Sequence, residues 1–131
     1  MSIAEDHPLK LGGGLALLTI ILSIFMPEPI TITLLALLLM AIAAIYVGFA
    51  IASNEPKAII IESVVAIIYL YAIALGLMWS AWVLVVGYFA HGAWDWVHHH
   101  DFGTDTPAWY IPACVIYDWI VGAFLAYLLL T

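Results

Sequence analysis

Apolar runs close to the length of a membrane-spanning helix fill most of this 131-residue chain. They cover about residues 9–26, 30–53, 57–79, 81–99 and 109–130. A bilayer core about 30 Å thick needs roughly 20 apolar residues per helix, so each run is long enough to cross a membrane. The sequence therefore predicts an all-α polytopic membrane protein, a bundle of five transmembrane helices that forms a single domain over residues 1–131.

The breaks between the runs are short and contain helix-ending residues. Pro27 and Pro29 form a turn through which no helix continues. Asn54 is expected to cap the next helix, and Pro56 suits its first turn. Ser80 marks the least distinct boundary. Without a break there, one helix of about 40 residues would span about 60 Å, which is too long for one bilayer, so two helices are predicted.

The charged residues exclude most other classes of protein. They make up 8% of the chain, against about 25% in ordinary soluble domains. Two lysines cannot neutralise a phosphate backbone, so nucleic acid is excluded as a partner. The single cysteine, Cys114, excludes an internal disulfide and a metal cage built from cysteines alone. The expected partner is the lipid bilayer, and a homo-oligomer is compatible with the many small residues.

The two lysines set the predicted orientation. In a topology of five spans, the amino terminus and the loop that contains Lys57 lie on the same side of the membrane. Lys10 also falls on that side, which the positive-inside rule makes cytoplasmic. We therefore expect a protein of the inner cell membrane, with its amino terminus in the cytoplasm and its carboxyl terminus outside.

Four ionisable residues fall inside the predicted spans, namely Glu62, His91, Asp95 and Asp118. Each costs roughly 2.5–3.5 kcal/mol on membrane insertion scales. Such a cost is normally offset by pairing between the groups, by a metal ion or by a water-filled path. These residues are therefore the first candidates for a functional site.

Histidines and one acid share a face of the fourth predicted helix. At 100° per residue, Asp95 lies about 40° from His91 on one side and His98 about 20° on the other. His99 lies about 80° off, at the edge of this stripe. Imidazole and carboxylate groups bind transition metals. The sequence predicts a metal site with His91, Asp95, His98 and His99 as ligands, and a divalent transition metal, Zn or Fe, as cofactor.

Depth in the membrane connects two further acids to this stripe. At about 1.5 Å per residue, Glu62 lies about 7 Å from the cytoplasmic end of its helix and Asp118 about 9–13 Å. His91 lies about 11 Å from the same side. Glu62 and Asp118 are thus candidate catalytic carboxylates, or further ligands or partners of the ligands.

Simpler interpretations of these acids remain open at this point. Glu62 can be a protonated acid bonded to Tyr69 or Tyr117, and Asp118 can bond Tyr88 in the same way. Asp95 can bond a histidine of its own helix. Each of these pairings would satisfy a buried carboxyl group without a metal.

The segment from Gly87 to Asp118 resembles a family of small, uncharacterised bacterial integral membrane proteins. The family pattern H-x-x-W-D-x-x-H-H matches HGAWDWVHH at residues 91–99, and a proline-containing loop and C-x-x-x-D follow, as CVIYD at residues 114–118. The family also has a glutamate in an earlier helix, where Glu62 corresponds. A second cysteine usually precedes its aspartate, where this chain has Tyr117. The resemblance implies that these polar residues belong together, and it implies no known activity.

Three classes of function are compatible with this pattern. The leading hypothesis is a membrane metalloenzyme, a hydrolase or an oxidoreductase, that acts on a lipid or small apolar substrate from the cytoplasmic leaflet. One alternative is a proton or cation transporter or channel subunit, because buried acids and histidines form relays. Another is a haem- or pigment-binding subunit, or a structural subunit, of a membrane complex.

Overall fold

The computed structural model describes residues 3–98 and 106–131, and every regular element in these residues is an α-helix. The all-α prediction is therefore confirmed. In chain order the helices are α1 (Ile3–Asp6), α2 (Pro8–Ile24), α3 (Glu28–Ala52), α4 (Pro56–Met78), α5 (Trp82–His98) and α6 (Tyr110–Leu130). Helices α2 to α6 correspond to the five predicted spans, with ends that differ by one or two residues. The short helix α1 was not predicted.

Three of these helices are long and apolar enough to cross a membrane, namely α3, α4 and α6, with 25, 23 and 21 residues. The described part of α5 and the whole of α2 have 17 residues each. At about 1.5 Å per residue, 17 residues reach about 25 Å, slightly less than a typical bilayer core. The structure thus supports three spans by length and apolarity, rather than all five.

The turn between α3 and α4 differs from the prediction. Asn54 does not cap α4, because it has a left-handed backbone, with φ of 53°, and ends α3 instead. Its N–H donates to the carbonyl of Ile51, and the N–H of Glu55 donates to the carbonyl of Ala50. This pair of bonds is the Schellman arrangement, in which asparagine is the common substitute for glycine. Pro56 opens α4, as predicted.

The helices pack in an order that differs from their order in the chain. Helix α4 packs against α3 and α5, α6 packs against α5 and α2, and α3 also contacts α5. Gly12 allows the close approach of α2 to α6, since a Cβ atom there would overlap the backbone of Ala113. Helices α2 and α3 are joined by a three-residue turn but share few contacts. A gap therefore remains between them.

The interior of the bundle divides into an apolar region and a polar region. Leu35, Leu39 and Leu125 are fully buried in the apolar region. The buried acids and histidines lie toward the end at which α3 and α5 finish and α4 and α6 begin. Large apolar side chains cover much of the outer surface, which suits a lipid environment.

Candidate metal centre

Four helices bring polar side chains to one end of the bundle. Tyr46 lies six residues before the end of α3, and Glu62 lies six residues after the start of α4. His91 lies seven residues before the end of α5, and Asp118 lies eight residues after the start of α6. At about 1.5 Å per residue, these positions are all about 9–12 Å inside the same end. The predicted acids and histidines of three helices therefore lie at the same end, and α3 adds Tyr46, but Glu62 lies beside His98 and not at the level of His91.

His91, Asp95 and Asp118 form one compact group. The Nδ1 atom of His91 lies 2.9 Å from Oδ2 of Asp118 and 3.6 Å from Oδ2 of Asp95. All three residues have 0% of their surface exposed. One ligand atom from each residue lies within 4.8 Å of the others, so the group can hold a metal ion. We call these three residues the triad.

The triad also contains buried polar atoms that lack a hydrogen-bond partner. Among the residues that the structure describes, three buried side-chain nitrogen or oxygen atoms have no partner, and each belongs to a different member of the triad. They are Nε2 of His91, Oδ2 of Asp95 and Oδ1 of Asp118. An unpartnered polar group in an apolar interior costs about 1–3 kcal/mol, and more if it is charged. The triad is therefore incomplete as a hydrogen-bonded cluster.

The spacing within the triad suits a single transition-metal ion. Two ligands that are each about 2.1 Å from one metal lie about 3.0–3.4 Å apart at coordination angles of 90° to 109°. The two distances from Nδ1 of His91, 2.9 and 3.6 Å, fall close to this range. Three protein ligands would leave a further coordination position for water or substrate.

Tyr46 fixes the position of Asp95 from the neighbouring helix. Its hydroxyl group donates a hydrogen bond of 2.5 Å to Oδ1 of Asp95, and only 1% of its surface is exposed. Its ring stacks on His98, with ring centroids 4.0 Å apart. Because Oδ1 of Asp95 already accepts this bond, Oδ2 remains as the atom that faces His91. Sequence reasoning missed Tyr46, since a lone tyrosine in an apolar helix gives no spacing signal.

Glu62 and His98 form a second acid–histidine group beside the triad. Oε1 of Glu62 lies 2.6 Å from Nε2 of His98, and Nδ1 of His98 lies 2.8 Å from the carbonyl oxygen of Trp94. A carbonyl can only accept, so Nδ1 carries a hydrogen. The bond between Nε2 and Glu62 then contains one shared proton. Both ring nitrogens of His98 thus have partners. In His91, by contrast, Nδ1 has a partner in Asp118 and Nε2 has none.

Buried acids outnumber buried bases at this end of the bundle. Among the described residues, three buried carboxyl groups, from Glu62, Asp95 and Asp118, face two buried imidazoles, from His91 and His98. The chain has no arginine, and its two lysines are both exposed. Even with both imidazoles protonated, three ionised carboxylates leave one negative charge without a partner. Either a bound proton or a metal cation must balance it, because an isolated buried charge is strongly unfavourable.

The predicted metal ligands separate into two places. His91 and Asp95 come together as expected, and Asp118 from α6 joins them. His98 and His91 project from nearly the same side of α5, but the seven residues between them separate them by about 10 Å along the helix axis. His98 contacts Glu62 instead. His99 lies outside the described residues. The catalytic roles assigned to Glu62 and Asp118 stay predictions.

The tyrosines named as alternative partners bond elsewhere, so those pairings are wrong. The hydroxyl groups of Tyr69 and Tyr88 donate to backbone carbonyl oxygens of α5 and α3. The hydroxyl group of Tyr117 pairs with that of Thr19. The predicted contact of Asp95 with a histidine of its own helix is present only as the 3.6 Å approach to Nδ1 of His91.

Comparisons of the chain with protein-family models, with curated proteins and with solved structures give no match. The resemblance to a family of small bacterial membrane proteins therefore stays a prediction.

Proposed function

We propose that this chain is an integral membrane protein in which His91, Asp95 and Asp118 bind one divalent transition metal. The observation that carries the proposal is that one ligand atom from each of these three fully buried residues lies within 4.8 Å of the others. A cation held there would give Oδ2 of Asp95, which has no hydrogen-bond partner, a ligand bond. It would also remove the excess of negative charge that the two exposed lysines cannot balance.

The donor set favours zinc or iron. One imidazole nitrogen and two carboxylate oxygens are borderline to hard ligands, which suit Zn²⁺ and Fe²⁺ and exclude a site selective for soft Cu(I). Cys114 is partly buried and is not a member of the group that can hold an ion within the described part of the chain. The ligands are therefore assigned to the triad alone.

Five spans suit this assignment better than three. Helices α2 and α5, with 17 residues each, reach the lower limit for a transmembrane helix. Helix α5 packs between α4 and α6, both of which have the length and apolarity of a span. Lys57 lies in the first turn of α4, at the same end as the triad, so the positive-inside rule places the triad near the cytoplasmic face.

The chemical activity that best suits such a site is metal-dependent hydrolysis. A transition metal with an open position supplies a hydroxide at neutral pH and polarises a carbonyl or phosphoryl oxygen. The chain's own residues would orient the ligands: Tyr46 holds Asp95, and Asp118 lies on α6 opposite His91. The Glu62–His98 pair, with its shared proton, is a nearby source or acceptor of a proton. The class of substrate is a lipid or another small apolar molecule.

A proton pathway is the second candidate, and one observation favours it. Tyr46, Asp95, His91 and Asp118 form a chain of close polar contacts across three helices. Toward the other face the buried side chains of the described residues are mainly apolar, among them Leu35, and the hydroxyl groups of Tyr69 and Tyr88 donate to backbone carbonyl oxygens instead of extending the chain of contacts. The metal site therefore explains more of the structure.

Metal analysis by mass spectrometry tests the proposal directly. The full chain, purified in detergent without chelator, is expected to retain close to one metal ion per chain. Substitution of a residue that only supports a ligand typically lowers metal affinity by about 10–100-fold. Because Asp118 is a proposed ligand, Asp118→Asn is expected to lower the metal affinity by more than that. Asp6→Asn is the matched control, because Asp6 is exposed. Less than about 0.2 metal per chain in the unmodified protein, after reloading with Zn²⁺ or Fe²⁺, would contradict the proposal.

A further inference from the structure

A lateral groove opens between α2 and α3 and has α6 as its floor. It has a volume of about 620 Å³, and its walls are mainly aliphatic, with the rings of Tyr110 and Tyr117 on α6 and the hydroxyl of Thr19 on α2 among them. Leu15 and Leu18 of α2 face Leu38 and Ile42 of α3 across it. The groove follows α2 from Leu11 to Leu22, which at about 1.5 Å per residue is about 16 Å. It therefore runs parallel to the helices, as lipid chains do.

The groove exists because two helices that are neighbours in the chain pack on different partners. Helix α2 lies close against α6 through Gly12, and α3 packs on α4. The short turn around Pro27 joins α2 and α3 at one end, and they share few contacts along their length. The gap is thus built into the packing order of the bundle.

The groove has a polar end that lies next to the triad. Tyr110 and Cys114 line it on α6, one helical turn apart, and Asp118 follows one turn later. The ring of Tyr110 meets the ring of Tyr46 edge-on, with ring centroids 6.0 Å apart. Since the hydroxyl of Tyr46 bonds Asp95, this one pair of aromatic rings lies between the groove and the triad. An amphipathic molecule in the groove would place its polar end beside Tyr110 and Cys114, with the rings of Tyr110 and Tyr46 between it and the triad.

We propose that this groove binds one acyl chain of a membrane lipid, with the polar end of the lipid at Tyr110 and Cys114. The assignment of that lipid as the substrate rests on the proposed metal-dependent function, whereas the binding of the chain does not. The volume suits a small ligand, for which pockets of about 300–1,000 Å³ are usual. A helix of a second copy of the chain is the competing occupant, and the labelling test distinguishes it, because a packed helix would keep the lipid probe out of the groove.

Photochemical labelling in nanodiscs tests the acyl-chain site. The probe is a phosphatidylcholine that carries a diazirine in its acyl chain, present as a minor component of the bilayer. Adducts are mapped by peptide mass spectrometry. Leu15 and Leu38 lie in the groove, and Ile67 and Ile68 lie on the exposed face of α4. We expect the groove residues to be labelled about fivefold more than the α4 residues, because a bound acyl chain stays longer than a freely diffusing lipid.

Two alanine positions provide a matched pair of variants. Ala41→Trp places a bulky ring in the groove and is expected to abolish the excess labelling, whereas Ala74→Trp, on the exposed face of α4, should leave it unchanged. Metal content is measured in the same samples and should stay constant. Equal labelling of groove and α4, or equal loss in both variants, would overturn the acyl-chain site. Preferential labelling of a protein that retains no metal would uphold this site and refute the proposed function.

Discussion

The two acid–histidine groups at one end of this bundle contain the same chemical groups but differ in how completely they are bonded. In the Glu62–His98 pair, the carboxyl group and both ring nitrogens have partners. In the triad, every member has an atom without one. Burial and composition alone therefore do not identify a metal site. The unfilled bonding capacity of the triad is what distinguishes the two groups.

The same comparison indicates different roles for the two groups. A fully bonded pair holds α4 against α5 and keeps its proton between two defined atoms. The triad contains buried polar atoms without a hydrogen-bond partner, so it can accept a cation. Tyr46 lies between the two groups, since it stacks on His98 and donates to Asp95. Substitutions in the triad and substitutions in the Glu62–His98 pair therefore test metal binding and helix packing separately.

The largest expected effect is the loss of metal on substitution in the triad. His91→Asn removes the imidazole of the proposed ligand set, and metal content should fall from close to one ion per chain to below about 0.2. His98→Asn is the matched control and should retain the metal, because His98 is already bonded to Glu62. Equal losses in the two variants, measured by mass spectrometry at the same protein concentration, would remove the distinction between the groups.

Substitution in the Glu62–His98 pair should affect stability instead of metal binding. Glu62→Leu leaves His98 without its acid and is expected to destabilise the fold by about 3–5 kcal/mol. The double variant Glu62→Leu with His98→Leu should recover most of that loss, because well-packed apolar residues can replace a buried pair. The free energy of unfolding is measured by titrating the protein in detergent with increasing amounts of a denaturing surfactant. A double variant less stable than the single one would show that the pair is not an isolated unit.

A smaller effect is expected at Tyr46, which supports a ligand without being one. Tyr46→Phe keeps the ring that stacks on His98 and removes the hydroxyl that bonds Asp95. Metal affinity should fall about 10-fold, within the range usual for such supporting residues. Competition with a coloured chelator measures the affinity. Complete loss of metal would instead make Tyr46 a ligand, and no change would disconnect it from the site.

The smallest effect is expected at Cys114, which lies one turn before Asp118 on α6. Cys114→Ala should leave metal content within about 10% of that of the unmodified chain, because no thiolate belongs to the proposed ligand set. A marked loss of metal would add sulfur to the coordination sphere and would favour a different metal.

The sequence predicted those features that depend on position along one helix. The apolar runs located α2 to α6 to within two residues, and Ser80 marked the break between α4 and α5. The i, i+4 spacing brought His91 and Asp95 together, and depth in the membrane added Asp118. Each of these predictions follows from helical geometry and from the cost of a charge in lipid.

The features that the sequence could not predict depend on contacts between helices. The angular position of His98 was right, but its partner is set by Glu62 on α4, and the axial distance separates it from His91. Tyr46 enters the site only because α3 crosses α5. The groove depends on α2 packing on α6 rather than on α3. Asn54 has a local role at the end of α3 because its φ of 53° is readily adopted by asparagine.

X-ray absorption spectroscopy of the metal-loaded protein tests the central claim most directly, because it counts the ligands and identifies their type. One imidazole nitrogen and carboxylate oxygens are expected at about 2.0–2.2 Å from the metal, with no sulfur at about 2.3 Å. His98→Asn should leave this spectrum unchanged. Two or more imidazoles in the first coordination shell, or a sulfur ligand, would contradict the assignment of the metal to His91, Asp95 and Asp118.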